Sequence, residues 1–268
     1  MTDTESAVLL NHRADGIAEV VLNRPDKRNA FDDVIIQQLI STLAEVNADN
    51  RVKVVILRSE GKHFSAGADL AWMRRMADNS HQENLDDARQ LARLMEVLNT
   101  LQKPVIGLVQ GAAYGGAVGL AACCDIVIAT ATASFCLSEV KLGLIPAVIS
   151  PYVVRAIGER QARRYFISAE VFTAAQAREY GLVHIVCDDV EAMEAHCNDL
   201  LRQLAMNGPE AMKAAKDLVF AVSHKAIDGE VIEDTARRIA DIRVGAEGQE
   251  GLSAFLNKRR ANWIPGNE

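Results

Sequence analysis

The sequence contains no uninterrupted apolar run approaching the ~20 residues that a membrane-crossing helix needs, although 49% of its 268 residues are hydrophobic. Hydrophobicity spread in this way builds a core, and a chain of this length can bury a large one. An excess of positive charge is missing too: 29 Lys and Arg stand against 36 Asp and Glu, for a net charge of -7. Neither nucleic acid nor an anionic membrane is expected as a partner, because both demand concentrated cations to neutralise phosphates. Cysteine is scarce and oddly spaced, with Cys123, Cys124, Cys136, Cys187 and Cys197 forming neither an even set nor a C-x-x-C pair. That pattern argues against a disulfide framework and a zinc knuckle, and fits reduced, buried thiols. The opening residues are polar and acidic, without the basic start and apolar stretch of a secretory signal, so a cytoplasmic location is expected.

Nucleotide signatures are also lacking. No G-x-G-x-x-G stands on a first βα turn, and no Gly-Lys-Ser/Thr ends a phosphate loop. His63 and Ser65 near Gly67 suggest a serine hydrolase, but a nucleophile elbow places glycine two residues before the serine, where His63 stands. No internal repeat, low-complexity tract or linker divides the chain.

What is present is an α/β pattern. Short β-branched runs at 17–22 and 52–57 flank a helical stretch with Ile36, Leu39, Ile40, Leu43 and Val46 on one face and Asp32 as a plausible N-cap. Nearly every position of these strands is apolar, as in strands covered on both sides. A long helix over about 84–102 carries the stripe Ala88, Leu91, Leu94, Met95, Leu98 and Leu101. Residues 126–129 read as a strand and 135–140 as a short extended piece, with a rigid turn into a helix near Pro151. From 159 onward the pattern is mainly helical, with a short strand at 182–186, amphipathic segments at 209–222 and 227–243, and a last helix over 250–260.

Two small-residue corners stand out. In one, an apolar strand at 105–109 leads through Gly111, Gly115 and Gly116 into a helix; in the other, Gly61 to Ala68 leads into a helical segment around Trp72 and Met76. Small residues cannot shield their own backbone, so amide N–H groups are left open at helix starts, where the macrodipole favours negative charge. Glu139 lies between apolar neighbours, and desolvation there raises a carboxyl pKa toward a value useful for proton transfer. Two backbone corners and one carboxylate suit thioester chemistry through an enolate. The loop from Asn23 to Phe31 adds three cations, Arg24, Lys27 and Arg28, able to meet phosphates.

These stretches resemble the enoyl-CoA hydratase/isomerase (crotonase) superfamily over nearly the full chain. The resemblance rests on Asn23-Arg24-Pro25 with Asn29-Ala30, Phe64-Ser65-Ala66-Gly67-Ala68-Asp69-Leu70, Gln110-Gly111 through Gly115-Gly116, Cys124-Asp125-Ile126, and Ser138-Glu139-Val140 through Pro146. Ala68 to Met73, Cys123-Cys124-Asp125, Phe135 to Val140 and the segment 156–165 are most similar to bacterial methylglutaconyl-CoA and isohexenylglutaconyl-CoA hydratases, which implies a place in leucine or acyclic terpene degradation.

The resemblance implies a ββα spiral core over 1–200 and a helical trimerisation region over 201–268, in trimers or in hexamers made as dimers of trimers. It implies an acyl-CoA substrate with coenzyme A as part of the thioester, no separate cofactor and no metal. By the same match, the amides of Ala68 and Gly116 form an oxyanion hole and Glu139 is the acid/base group. Lys27, Arg28, Ala66, Asp69, Leu70, Trp72, Gly115 and Lys258 form the implied substrate-binding set. A glutaconyl group would need a cation for its second carboxylate, with Arg74, Arg75 and Lys141 as candidates.

One departure bears on mechanism. Many hydratases of the superfamily carry a second glutamate where this chain has Gly119, whereas isomerases often keep only the glutamate matching Glu139. The usual glycine-rich segment after Pro146 is replaced by Ala147-Val148-Ile149-Ser150, so a different pocket floor is expected. A non-catalytic coenzyme A-binding or scaffolding protein is the reading from another class, and Glu139 argues against it.

Overall fold

The computed structural model describes residues 6–264 and Gly266, so the acidic opening residues 1–5 lie outside the described residues. The chain forms two compact units, one of residues 1–101 and 105–197 and the other of 102–104 and 198–268. In the first unit, β1 (Val8–His12) pairs antiparallel with β2 (Ile17–Leu22). Parallel pairing then runs from β2 through β3 (Val54–Ser59), β4 (Val105–Val109) and β6 (Ile126–Thr130) to β9 (Ile185–Cys187). Every residue of β4 is buried, as the unbroken apolar run required. A smaller sheet joins β5 (Ala112–Tyr114), β7 (Ser134–Cys136) and β8 (Phe172–Thr173).

Local chemistry explains where the helices begin. α1 (Asp33–Ala48) starts at Asp32, whose carboxylate accepts from the Ile35 amide, and it buries Ile35, Ile36, Leu39, Leu43 and Val46. α3 (His81–Asn99) begins three residues before the expected start, because Ser80 and Glu83 form a reciprocal capping box. Its stripe divides in two: Leu94, Met95 and Leu98 are fully buried, while Ala88 and Leu91 are only partly so.

Two expectations are corrected. The extended piece expected over 135–140 stops at Cys136, and the chain tightens into a 3-10 turn over Glu139–Leu142. Gly143 ends that turn with φ 72°, and the Leu144 amide donates back to the Glu139 carbonyl. Likewise, the strand expected over 182–186 begins only at Ile185 and runs to Cys187. α5 (Ser150–Ser168) continues across a break at Gly158, where φ is 74°. The unit is completed by α2 (Leu70–Asp78), α4 (Gly116–Cys123), α6 (Ala174–Tyr180) and most of α7 (Val190–Leu204).

The second unit holds α8 (Pro209–Val222), α9 (Gly229–Val244) and α10 (Ala246–Leu256). Glu247 accepts from the amides of Glu210 and Ala211 and so caps α8 from α10. The last helix ends at Leu256, short of the expected 260, because Lys258 adopts the left-handed conformation with φ 54°. Ile227, Ile232, Ile239, Val244, Phe255 and Leu256 are all exposed. Among the described residues, no helix is long and apolar enough to cross a membrane.

Candidate active site

The two corners are joined by backbone pairing. Phe64 donates to the Gln110 carbonyl at 2.8 Å, Ser65 to Ala112 at 3.0 Å and Tyr114 to Ser65 at 3.0 Å, so Ser65 and Ala113 form a parallel bridge. On the other side, Phe31 donates to the Gly67 carbonyl and accepts from the Asp69 amide, both at 2.9 Å. Successive N–H groups along an extended chain alternate in direction, so this pairing turns the Ala68 N–H away from Phe31. Among the described residues neither the Ala68 N–H nor that of Gly116, the first residue of α4, has an acceptor.

Gly115 delivers Gly116 to that position. Its φ of 56° and ψ of -126° strain any residue with a side chain, and a Cβ there would stand 3.4 Å from Glu139 Oε1. The Glu139 carboxyl therefore rests directly against the corner. Its Oε2 is buried with no hydrogen-bond partner among the described residues. Burial raises its pKa above the ordinary glutamate range, against a smaller lowering by its own backbone amide.

Ala68, Gly116 and Glu139 open together onto one cavity of about 290 Å³. Phe31, Trp72 and Met76 supply apolar wall, and α3 adds Ala88 and Leu91, which explains why that half of its stripe is not sealed in the core. Residues Ile145 to Ile149, where a glycine-rich segment is usual, form another side, so the expected change of pocket floor is realised as an aliphatic wall. Asn84 and Ile145 line the cavity and are also exposed, which identifies its mouth.

Gly119 faces a filled space. A Cβ at this position would clash with Ile149 Cγ2, lie 2.8 Å from Ile149 Cβ and 3.1 Å from Met95 Sδ. Ile149 and Met95 occupy the volume that a side chain from residue 119 would need.

The remaining candidate residues divide by environment. Lys27 and Arg28 are exposed, and the Arg28 carbonyl accepts from the Ala66 amide at 2.9 Å, which holds Ala66 beside that loop. Arg24, the third cation expected to meet phosphates, turns inward instead, pairing with Asp32 at 3.2 Å and Asp69 at 3.4 Å. Asp69 is itself structural here: its carboxylate caps α2 by accepting from Ala71 and Trp72, and Lys27 stands 3.8 Å away. Burial raises the Asp69 pKa, but the two amides and the two cations outweigh it and leave the group below the ordinary range.

Trp72 lines the cavity, whereas Leu70 is 72% exposed and does not. Lys258 belongs to the second unit, just past α10. Arg74, Arg75 and Lys141 are not brought to the cavity; Arg75 pairs with Asp33 at 2.5 Å. The polar groups of the cavity wall are Asn84, Asp87 and Glu139.

His63 and Ser65 are structural. Ser65 is fully buried and its hydroxyl accepts from the Gly67 amide, while His63 Nδ1 accepts from Ala112 at 3.1 Å. Burial, then Lys62 and Arg28, lowers the His63 pKa, in keeping with an Nδ1 that accepts.

Residues absent from the sequence reading of the site are Phe31 as a wall, Asn84 and Asp87 at the α3 end, and the pair Met95 and Ile149 facing Gly119. The position of Phe31 just before the Asp32 cap, in a loop already singled out, was the one available signal. The others depend on contacts between distant segments.

Residues 12–265 match the family model described as enoyl-CoA hydratase/isomerase. Among solved structures, an enoyl-CoA hydratase from Shewanella pealeana ATCC 700345 is 48% identical with a TM-score of 0.93, covering 96% of each chain. Pseudomonas aeruginosa AtuE is 37% identical with a TM-score of 0.92, over 97% of this chain and 100% of that one. The 2,3-dehydroadipyl-CoA hydratase of Escherichia coli K12 is 32% identical over 94% of this chain and 96% of its own length. Agreement of this extent, in sequence and in three dimensions, means that this chain has the crotonase fold, belongs to the enoyl-CoA hydratase/isomerase family and is an enoyl-CoA hydratase-type enzyme.

Proposed function

We propose that the protein adds water to a short, branched α,β-unsaturated acyl-CoA, with Glu139 as the single acid/base group and the amides of Ala68 and Gly116 as the oxyanion hole. The observation that carries this reading is the buried, unpartnered Oε2 of Glu139 on the same cavity as both open amides. Glu139 takes a proton from water as the oxygen bonds to the β-carbon. The pair of electrons of the double bond moves toward the thioester carbonyl, and the resulting enolate oxygen is held by the two N–H groups. Glu139 then returns its proton to the α-carbon on the same face, so one carboxyl serves both halves of a syn addition. Lys27 and Arg28 meet the phosphates of coenzyme A, and the Ala66 backbone meets its adenine.

The cavity of about 290 Å³ suits a short branched acyl chain. We assign 3-methylglutaconyl-CoA, giving 3-hydroxy-3-methylglutaryl-CoA, as the preferred substrate, with isohexenylglutaconyl-CoA as its longer relative. A dehydroadipyl-CoA hydratase among the relatives supports an acyl group that ends in a second carboxylate. With no cation on the wall among the described residues, that carboxylate stays hydrated at the mouth between Asn84 and Ile145 rather than buried.

The second reading is isomerisation of the double bond, favoured by the filled space at Gly119, since moving one proton between two carbons needs one base. A panel of unbranched, β-methyl-branched and carboxylated enoyl-CoA thioesters, with products resolved as hydrated or isomerised, separates the two. Hydration with the highest kcat/KM on the branched, carboxylated member is expected. Isomerised product alone would replace the hydratase reading.

The exposed apolar side chains of α8, α9 and α10 support the helical unit as an oligomerisation surface. A trimer, or a hexamer of two trimers, is the expected assembly. A monomer in sedimentation at micromolar concentration would remove that assignment.

A further inference from the structure

We infer that Phe31 is a positioning residue for the oxyanion hole, setting the separation and direction of its two amides, an inference that rests on the function proposed above. Phe31 is the residue whose backbone flanks one donor while its ring bears on the other. Its N–H and carbonyl bind the Gly67 carbonyl and Asp69 amide at 2.9 Å each, which bracket Ala68 and turn the Ala68 N–H the opposite way. Its ring lies against Gly116: a Cβ on residue 116 would stand 2.6 Å from Phe31 Cζ and 3.2 Å from Cε2. The glycine at 116 thus answers to the ring as well as to the substrate.

The segment that carries Phe31 is also held in place. Phe31 is 1% exposed, and Arg24 reaches the Ala30 carbonyl at 3.4 Å, Asp32 at 3.2 Å and Asp69 at 3.4 Å, binding the residues on either side of Phe31 to the residue after Ala68. The Asp32 cap of α1 anchors the following turn. Loss of the ring leaves Gly116 without its packing surface and frees Phe31's segment to shift, so the two N–H groups lose their common aim. Small errors of aim matter because the donors must meet the oxygen where charge develops.

The test is Phe31→Ala and Phe31→Leu, with Phe172→Leu as a control for core loss, since Phe172 is fully buried in the aromatic cluster with Phe135 and Tyr165. Two readouts are taken on folded protein: hydration kinetics, and the near-ultraviolet absorbance of bound acetoacetyl-CoA, a β-dicarbonyl thioester whose enolate fraction reports the oxyanion hole without water addition. Phe31→Ala is expected to lower kcat by about tenfold or more while KM stays within about threefold, and to lower the enolate fraction. Phe31→Leu recovers part of both, and Phe172→Leu changes neither. If Phe31→Ala does not fold, Phe31→Leu against Phe172→Leu gives the same comparison, with a smaller loss of kcat and of enolate expected. Unchanged kcat and enolate in the Phe31 variants that fold would overturn the inference. A wild-type protein that forms no enolate from acetoacetyl-CoA would instead overturn the oxyanion-hole reading on which it rests.

Discussion

Replacing Glu139 by glutamine lowers kcat for enoyl-CoA hydration by about 10³-fold and raises the stability of the folded chain at neutral pH. Both effects follow from the same burial. The carboxyl rests against Gly115 with Oε2 unpartnered, and burial raises its pKa. Because the folded state holds this proton more tightly than the unfolded chain does, the group favours folding below the ordinary glutamate range. It costs stability as pH rises through the raised value. Glutamine keeps the shape without the charge, so the variant escapes that cost while losing the base. The wild-type rate should fall on the acid side with a limb above the ordinary glutamate range, since only the ionised carboxyl accepts a proton from water. A pH profile of kcat together with denaturant unfolding of both proteins checks this. A glutamine variant that is as active as wild type, or an acid limb at or below the ordinary range, would remove Glu139 from its role.

Placing a second carboxylate at position 119 does not create a two-glutamate hydratase. Gly119→Glu must displace Ile149 and Met95, which already fill the space beyond Gly119. Overpacking costs about 1–3 kcal/mol and an unpaired buried carboxyl about as much again, so a loss of about 3 kcal/mol or more is expected in chemical denaturation. No gain in hydration accompanies it. Ile149→Ala removes the obstructing branch, so the two substitutions together should cost less than their sum by more than ~1 kcal/mol. Strict additivity in the cycle of single and double variants would show that Ile149 is not what excludes a side chain there.

Filling of this kind agrees with the one-carboxyl mechanism proposed above. In a two-carboxylate site, the second group helps to hold and activate the water. Here the volume facing Gly119 is filled by Ile149 and Met95, and Ala147, Val148 and Ile149 add an aliphatic wall to the cavity. In the proposed mechanism water is held by Glu139 and by the bound thioester, with Asn84 and Asp87 the other polar groups on the cavity wall. The same aliphatic wall supports the proposed preference for a branched apolar acyl segment, while Asn84 and Ile145 leave its far end open to solvent.

The sequence by itself determined the features that depend on neighbours along the chain. Glycine at 115 and 116 marked a corner that only a residue free of side-chain strain can make, and the Asp32 cap and the fully apolar β4 followed from residue type and spacing. The carboxyl at 139 between apolar neighbours announced a raised pKa, and its direction is as expected. Local reading failed where a longer-range bond won. The stretch 135–140 has the composition of a strand, yet only Ser134–Cys136 finds a partner in β5, and the remainder winds into a 3-10 turn closed by Gly143.

Only the tertiary structure decided which residues meet. Arg24 and Lys27 are indistinguishable as loop cations in the sequence, but folding draws Arg24 inward between Asp32 and Asp69, whereas Lys27 reaches Asp69 only at 3.8 Å and stays half exposed. The α3 stripe is uniform in composition, but part of it seals the core and part lines the cavity, according to what packs opposite. Phe31 approaches Gly116, and Ile149 approaches Gly119, across tens of residues of intervening chain. Propensity and periodicity act within a few residues, whereas a cavity is defined by surfaces from segments far apart. The two backbone corners and the apolar-flanked carboxyl were therefore legible in the sequence, and the shape of the cavity they share was not.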